Sequence, residues 1–141
     1  MRFDLEGLDG LCLSMSEIAE IPDEVQDAML NAQADVAIPA QQAKARSYGV
    51  VDTGLVISSI KKTKPKIGKN GRCIFVYPQG SRRRGKKGKP TRNAEIAFIA
   101  EYGRRKQKAR PFIRDANDAC AEQTTQAAAK IYDSWLKSKN L

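Results

Sequence analysis

The chain has 141 residues, of which 41% are hydrophobic, 29% charged and 6% aromatic, with a formal net charge of +9 and no histidine. That length suits one domain burying roughly two thirds of its unfolded surface, and the lack of histidine removes the usual general base and the commonest metal ligand. The longest apolar runs, such as residues 96–100, fall far short of the roughly 20 residues needed to cross a bilayer, and acids among the first ten residues argue against a secretory signal.

Charge is unevenly placed. Residues 1–60 hold three basic and ten acidic residues, a net of −7; residues 61–114 hold nineteen and two, a net of +17; residues 115–141 have a net of −1. A cationic middle between acidic ends implies a polyanionic or acidic partner, or subunits meeting basic face to acidic face. Cys12, Cys73 and Cys120 are odd in number and far apart, which fits small buried thiols better than a disulfide framework. With no histidine and no CxxC pair, zinc would need all three cysteines and a carboxylate, so no metal or cofactor is expected.

In chain order, residues 1–21 read as a lead-in and weak helix from about Leu11 or Ser14. Over 22–48, Val25, Ala28, Met29, Ala32, Val36, Ala40, Ala43 and Ser47 recur at helical spacing, with Pro22 in the first turn and Asp23, Glu24 and Asp27 complementing the helix N-terminus. Pro39 inside this run predicts a kink or break near Ile38. Over 50–78 the expectation is a short helix capped by Asp52, carrying Leu55, Val56, Ile57 and Ile60, and then an antiparallel hairpin from about Thr63 to Tyr77. A strand reading of 50–60 is also open, since valine and isoleucine favour sheets.

Residues 78–92 contain seven Lys/Arg, three glycines and two prolines with nothing apolar to anchor them, which predicts a mobile basic loop over 79–93. Over 94–110 an apolar element built on Ile96, Phe98 and Ile99 meets Gly103 and a loop carrying Arg104, Arg105, Lys106, Lys108 and Arg110. Pro111 then starts a last helix over 111–137, with Phe112, Ala116, Cys120, Ala127, Ile131 and Trp135 on one stripe and acids near its start. The fold class expected is α+β, one domain, with long N- and C-terminal helices packed on a small antiparallel sheet.

Catalysis is not expected. Glu95 and Glu101 are the only acids among nineteen basic residues and read as salt-bridge partners. Asp52, Thr53 and Gly54 lack a phosphate-loop context and read as a helix cap. The basic residues Arg82, Arg83, Arg84, Lys86, Lys87, Lys89, Arg104 and Arg105 are candidates for an interface or a DNA contact. With few aromatics among them, any nucleic-acid contact would be electrostatic and weakly sequence-specific.

Three ordered segments, VDTGLVISSI at 51–60, IAFIAEYG at 96–103 and ARPFIRDA at 109–116, resemble the minor tail-component family of long-tailed double-stranded DNA bacteriophages and prophages, which acts in tail completion or head-tail joining. Members typically show DTG-x-L-x-x-SI, YA-x-(Y/F)-x-E-(F/Y)-GT and PF-(L/I/M)-RPA segments. The likeness spans about residues 15–137, and three motifs in order are more specific than any one. Here Leu55 directly follows Gly54, Arg104 replaces the threonine after the glycine, and Asp115 stands where proline is common. The matching positions are Asp52, Thr53, Gly54, Glu101, Tyr102, Gly103, Pro111, Phe112 and Arg114. The resemblance implies a non-enzymatic α+β subunit of a ring at the neck or upper tail. Its partners would be other tail or connector proteins and further copies of itself, and its location the virion after assembly in the bacterial cytoplasm. The alternative expectation is a basic nucleic-acid-binding protein.

Overall fold

Two long helices frame the molecule, and several of the elements between them pack along the first of the pair. A computed structural model describes residues 20–50, 54–69, 71–83 and 86–139. The elements in order are α1 (Asp23–Ser47), α2 (Leu55–Ser58), β1 (Ile60–Lys62), β2 (Lys66–Gly68), β3 (Gly71–Cys73), β4 (Val76–Pro78), β5 (Ser81–Arg82), β6 (Thr91–Arg92), α3 (Asn93–Tyr102) and α4 (Phe112–Ser138). The architecture is mixed α+β, with α1 and α4 making the most extensive packing of any pair. The expected lead-in over 1–21 and the cap at Asp52 lie mostly or wholly outside the described residues.

Helix α1 starts with Asp23 and Glu24 and ends with Lys44 and Arg46, charges that oppose the helix dipole at each end. Its inward face is rotated from the expected stripe. Ala34, Gln41 and Ala45 are buried, whereas Ala28, Ala43 and Ser47 are exposed. The small residues at 34 and 45 let α4 approach closely, and Gln41 donates from Nε2 to Asn117 Oδ1 at 3.0 Å across that contact. Pro39 is exposed and the helix runs through it, so the expected break is absent. On α4 the expected stripe holds at Phe112, Ala116 and Cys120, with Ala128 rather than Ala127 buried next. Pro22 and Pro111 each sit one residue before their helix, at the N-cap, rather than in the first turn.

The hairpin expected from about Thr63 to Tyr77 is present in two nested ladders, but it starts at Ile60, which opens β1 rather than belonging to the short helix. Ile60, Lys61 and Lys62 pair with Pro78, Tyr77 and Val76, and Lys66–Gly68 pairs with Gly71–Cys73. Between the ladders Thr63 N–H donates to Phe75 O, and Phe75 N–H donates to Thr63 Oγ1. The basic stretch is tied at its base, contrary to the expectation from composition: Ser81 pairs with Arg92 and Arg82 with Thr91. Asn93 fastens the two ends of the stretch further, donating from Nδ2 to Gln79 O and from its backbone N–H to Gly80 O.

One core joins these pieces: Ala45, Val50, Val56, Ile57, Ile60, Ala97, Ala100 and Phe112 are buried together, with Ile38, Tyr48, Val76, Ile96 and Ile113 packed around them. Phe112 is fully buried, a burial that contributes roughly 1.5–3 kcal/mol. Cys120 is buried and Cys73 half-buried, both as free thiols.

Candidate interaction site

The junction from α3 to α4 is fixed by backbone contacts that name each residue's task. Gly103 ends α3 at φ 75°, and a Cβ there would lie 2.7 Å from Gln107 O and 2.8 Å from Ala109 N. Only glycine fits that backbone conformation and that gap. Arg104 and Gln107 then exchange two backbone hydrogen bonds of 2.9 Å, closing a tight turn with Arg105 and Lys106 at its tip.

Glu101 caps the next helix. Its Oε2 accepts from Ile113 N–H at 2.9 Å and its Oε1 from Arg114 N–H at 3.0 Å, so both oxygens serve unpaired donors in the first turn of α4. This corrects the expectation of a salt-bridge partner for the surrounding arginines. Arg110 works at the opposite pole: its Nη1 donates to Gly49 O at 3.0 Å and more weakly to Tyr48 O, at the C-terminal end of α1. The Tyr48 hydroxyl donates to Asp115 Oδ2. That bond is the main reason the Asp115 carboxyl titrates below its ordinary value and the Tyr48 phenol above its own.

Among the nine positions carried by the family resemblance, Asp52 and Thr53 lie outside the described residues. Gly54 stands at the N-cap of α2 with φ 77°. That glycine thus occupies the cap place expected for Asp52. Phe112 is core, Pro111 precedes it, and the Arg114 side chain is exposed with Nε 3.4 Å from Asp115. Tyr102 is 69% exposed. The three segments meet physically, since Val56 and Ile57, Ala97 and Ala100, and Phe112 belong to one buried cluster.

Beside this junction opens a cleft of about 510 Å³. Its floor is aliphatic, from Val50, Val56, Ile96, Ile99 and Ala100, and its walls carry Arg82, Lys89, Arg104 and Arg110. Every ionisable side chain among the described residues lining it is basic. Of the basic candidates, Arg82, Lys89 and Arg104 are therefore brought together. Arg83, Lys86, Lys87 and Arg105 are exposed and do not line the cleft, while Arg84 lies outside the described residues. Arg110, a member of the cationic loop after Gly103, joins them on the wall while its Nη1 reaches residues 48 and 49.

A second surface was not foreseen. The sequence places Phe98 in the core, yet α3 turns Asn93, Ala97 and Ala100 inward and leaves Phe98 62% exposed. Phe98 and Tyr102, one turn apart, pack together with ring centroids 4.7 Å apart and planes tilted by 47°. With Tyr77, Pro78, Ala94 and Ile113 they line a shallow apolar groove of about 190 Å³. Exposed aromatics gathered in this way are typical of association surfaces.

On the hairpin, Arg72 grips Asp27 of α1 through two 2.7 Å hydrogen bonds, and its second amine lies 3.4 Å from Asp23. This hydrogen bonding is the main cause of the lowered Asp27 pKa. Among the described residues no group of three or more acidic or thiol side chains is placed to hold a metal ion, and no helix is long and apolar enough to cross a membrane. Comparison with known families, curated proteins and solved structures finds no match.

Proposed function

We propose that this chain is a non-enzymatic structural subunit of a phage or prophage virion, acting in tail completion or head-tail joining as part of a ring. The observation that carries the reading is the meeting of the three family-like segments in one buried cluster around Phe112, with Glu101 and Gly103 fixing the junction between two of them. Motif residues used in this way shape a subunit; they do not form a reaction centre. The surfaces left over, a cationic cleft and an exposed aromatic groove, suit contacts to neighbouring subunits.

Native mass spectrometry and electron microscopy of the protein, alone and with candidate tail and connector proteins, test the reading. A ring, or a defined complex with one of those proteins, is expected. A strict monomer with no affinity for any of them rejects it. The basic cleft walls favour a second reading, electrostatic binding of nucleic acid. Duplex DNA offered to the same preparations at low salt decides it, since such binding weakens steeply as salt rises.

A further inference from the structure

Helix α3 stands as a ridge between the two depressions. One flank, Ile96, Ile99 and Ala100, lines the cationic cleft, and the other, Ala94, Ala97 and Phe98, lines the aromatic groove. Its crest carries Glu95, Phe98 and Tyr102, which follow one helical stripe and are all exposed. The turn after Gly103 then sets Arg105 and Lys106 at its tip, also exposed. Apart from the capping Glu101, Glu95 is the one acid in residues 61–114. Neither it nor Arg105 nor Lys106 has a charged partner among the described residues.

Along the crest the order is acid, aromatic, aromatic, base, over a helix of 10 residues and about 15 Å. That order is complementary to itself when a second α3 lies antiparallel. A two-fold axis near Phe98 sets Glu95 level with the second copy's Tyr102 and brings its carboxylate to the second copy's Arg105 and Lys106. The same contact repeats on the other side of the axis. The two Phe98 rings meet at the centre, and each helix N-terminus lies beside the other's C-terminus, as the dipoles prefer. Aromatic side chains at the centre and charges at the rim are the usual anatomy of a protein interface. Nucleic acid or an acidic protein laid along the same crest is opposed by the Glu95 carboxylate.

We propose that α3 is a two-fold contact between copies of this chain, with Phe98 and Tyr102 packed against their counterparts and Glu95 paired with Arg105 and Lys106 across the axis. The contact goes beyond the assembly reading and does not depend on it, since a pair closes without a ring.

The test uses two full-length variants, Glu95→Arg and the double change Arg105→Glu with Lys106→Glu, which leave the core, the Glu101 cap and the cleft walls intact. Self-association is followed by sedimentation velocity over a range of concentrations. Each variant alone is expected to dimerise about ten- to hundredfold more weakly, because every change acts twice in a two-fold contact. An equal mixture of the two regains wild-type association, because the reversed acid of one meets the reversed bases of the other. Phe98→Ser abolishes dimerisation while circular dichroism stays that of the wild type, since the ring is mostly exposed. In a mixture of ¹³C-labelled and unlabelled wild-type protein, isotope-filtered NOEs are expected between the Phe98 and Tyr102 rings of different copies.

A wild-type chain that stays monomeric at its highest soluble concentration overturns the contact, as do variants that associate like the wild type or a mixture that fails to recover. Reversals that weaken binding of duplex DNA, or of a tail or connector protein, while self-association persists give the crest to that partner and overturn it too. A ring that survives both reversals and Phe98→Ser removes this contact and leaves the tail-completion reading standing. A dimer that forms through α3 while no tail or connector protein binds upholds the contact and leaves the assembly reading to fail alone.

Discussion

Gly103 shows how one residue can be fixed by two separate physical demands. Positive φ alone costs an L-residue about 1–2 kcal/mol. Gly103 adds a steric demand, because a Cβ would strike the backbone oxygen of Gln107 and the backbone nitrogen of Ala109, neither of which can rotate away. Gly54 has nearly the same φ, 77°, but lies in the left-handed helical region with ψ −9° against −179° at Gly103, and no atom of the described residues comes within 4 Å of its Cβ position. Gly54→Ala is therefore expected to lose about 1–2 kcal/mol in urea denaturation and Gly103→Ala clearly more. Equal losses would mean that neither the close approach at 103 nor its extended ψ adds a cost beyond positive φ.

At the scale of elements, α3 and α4 are coupled through one side chain, since the Glu101 carboxylate serves the first turn of the helix that follows. Removing a cap of this kind costs about 0.5–2 kcal/mol. Glu101→Ala is expected to lose that much, and to speed hydrogen exchange at the Ile113 and Arg114 amides while the far half of α4 is unaffected. Unaltered exchange at those two amides would show that the cap is not what holds the turn. The elements themselves were largely legible, because helical periodicity around Phe112, Ala116 and Cys120, the turn between Gly68 and Gly71, and the proline starts are local signals. Which face points inward was less legible. In α1 alanines occur all round the helix, so small-residue spacing did not distinguish Ala34 and Ala45 from Ala28 and Ala43. In α3 the two aromatic side chains, Phe98 and Tyr102, face out because alanines let the helix sit close to the core. The Glu101 cap, the Arg110 anchor and the cleft walls depend on contacts between distant positions, which leave no periodic trace.

Across the whole molecule, two carboxylates join parts that are far apart in sequence: Asp27 holds the hairpin through Arg72, and Asp115 holds the end of α1 through Tyr48. Both titrate below their ordinary value, Asp27 chiefly through its hydrogen bond with Arg72 and Asp115 chiefly through the one from Tyr48. A lowered carboxyl pKa means that the folded state holds its proton less tightly than the unfolded chain. The stability this contributes is present above the unfolded value, about pH 4, and is lost as pH falls through the folded one. Tyr48 has the opposite sign. Its raised pKa contributes stability below the ordinary phenol value, about pH 10, which is lost as pH rises through the folded value. Urea denaturation across pH is therefore expected to give a plateau with an acid edge and an alkaline edge. Asp27→Asn flattens its share of the acid edge, leaving that of Asp115, and leaves the alkaline edge unchanged. Tyr48→Phe flattens the alkaline edge and also part of the acid one, because Asp115 loses the donor that lowers its pKa. Acid edges that coincide in the wild type and both variants would place the acid sensitivity in other carboxylates and reject these two as the groups that tie hairpin and helices together.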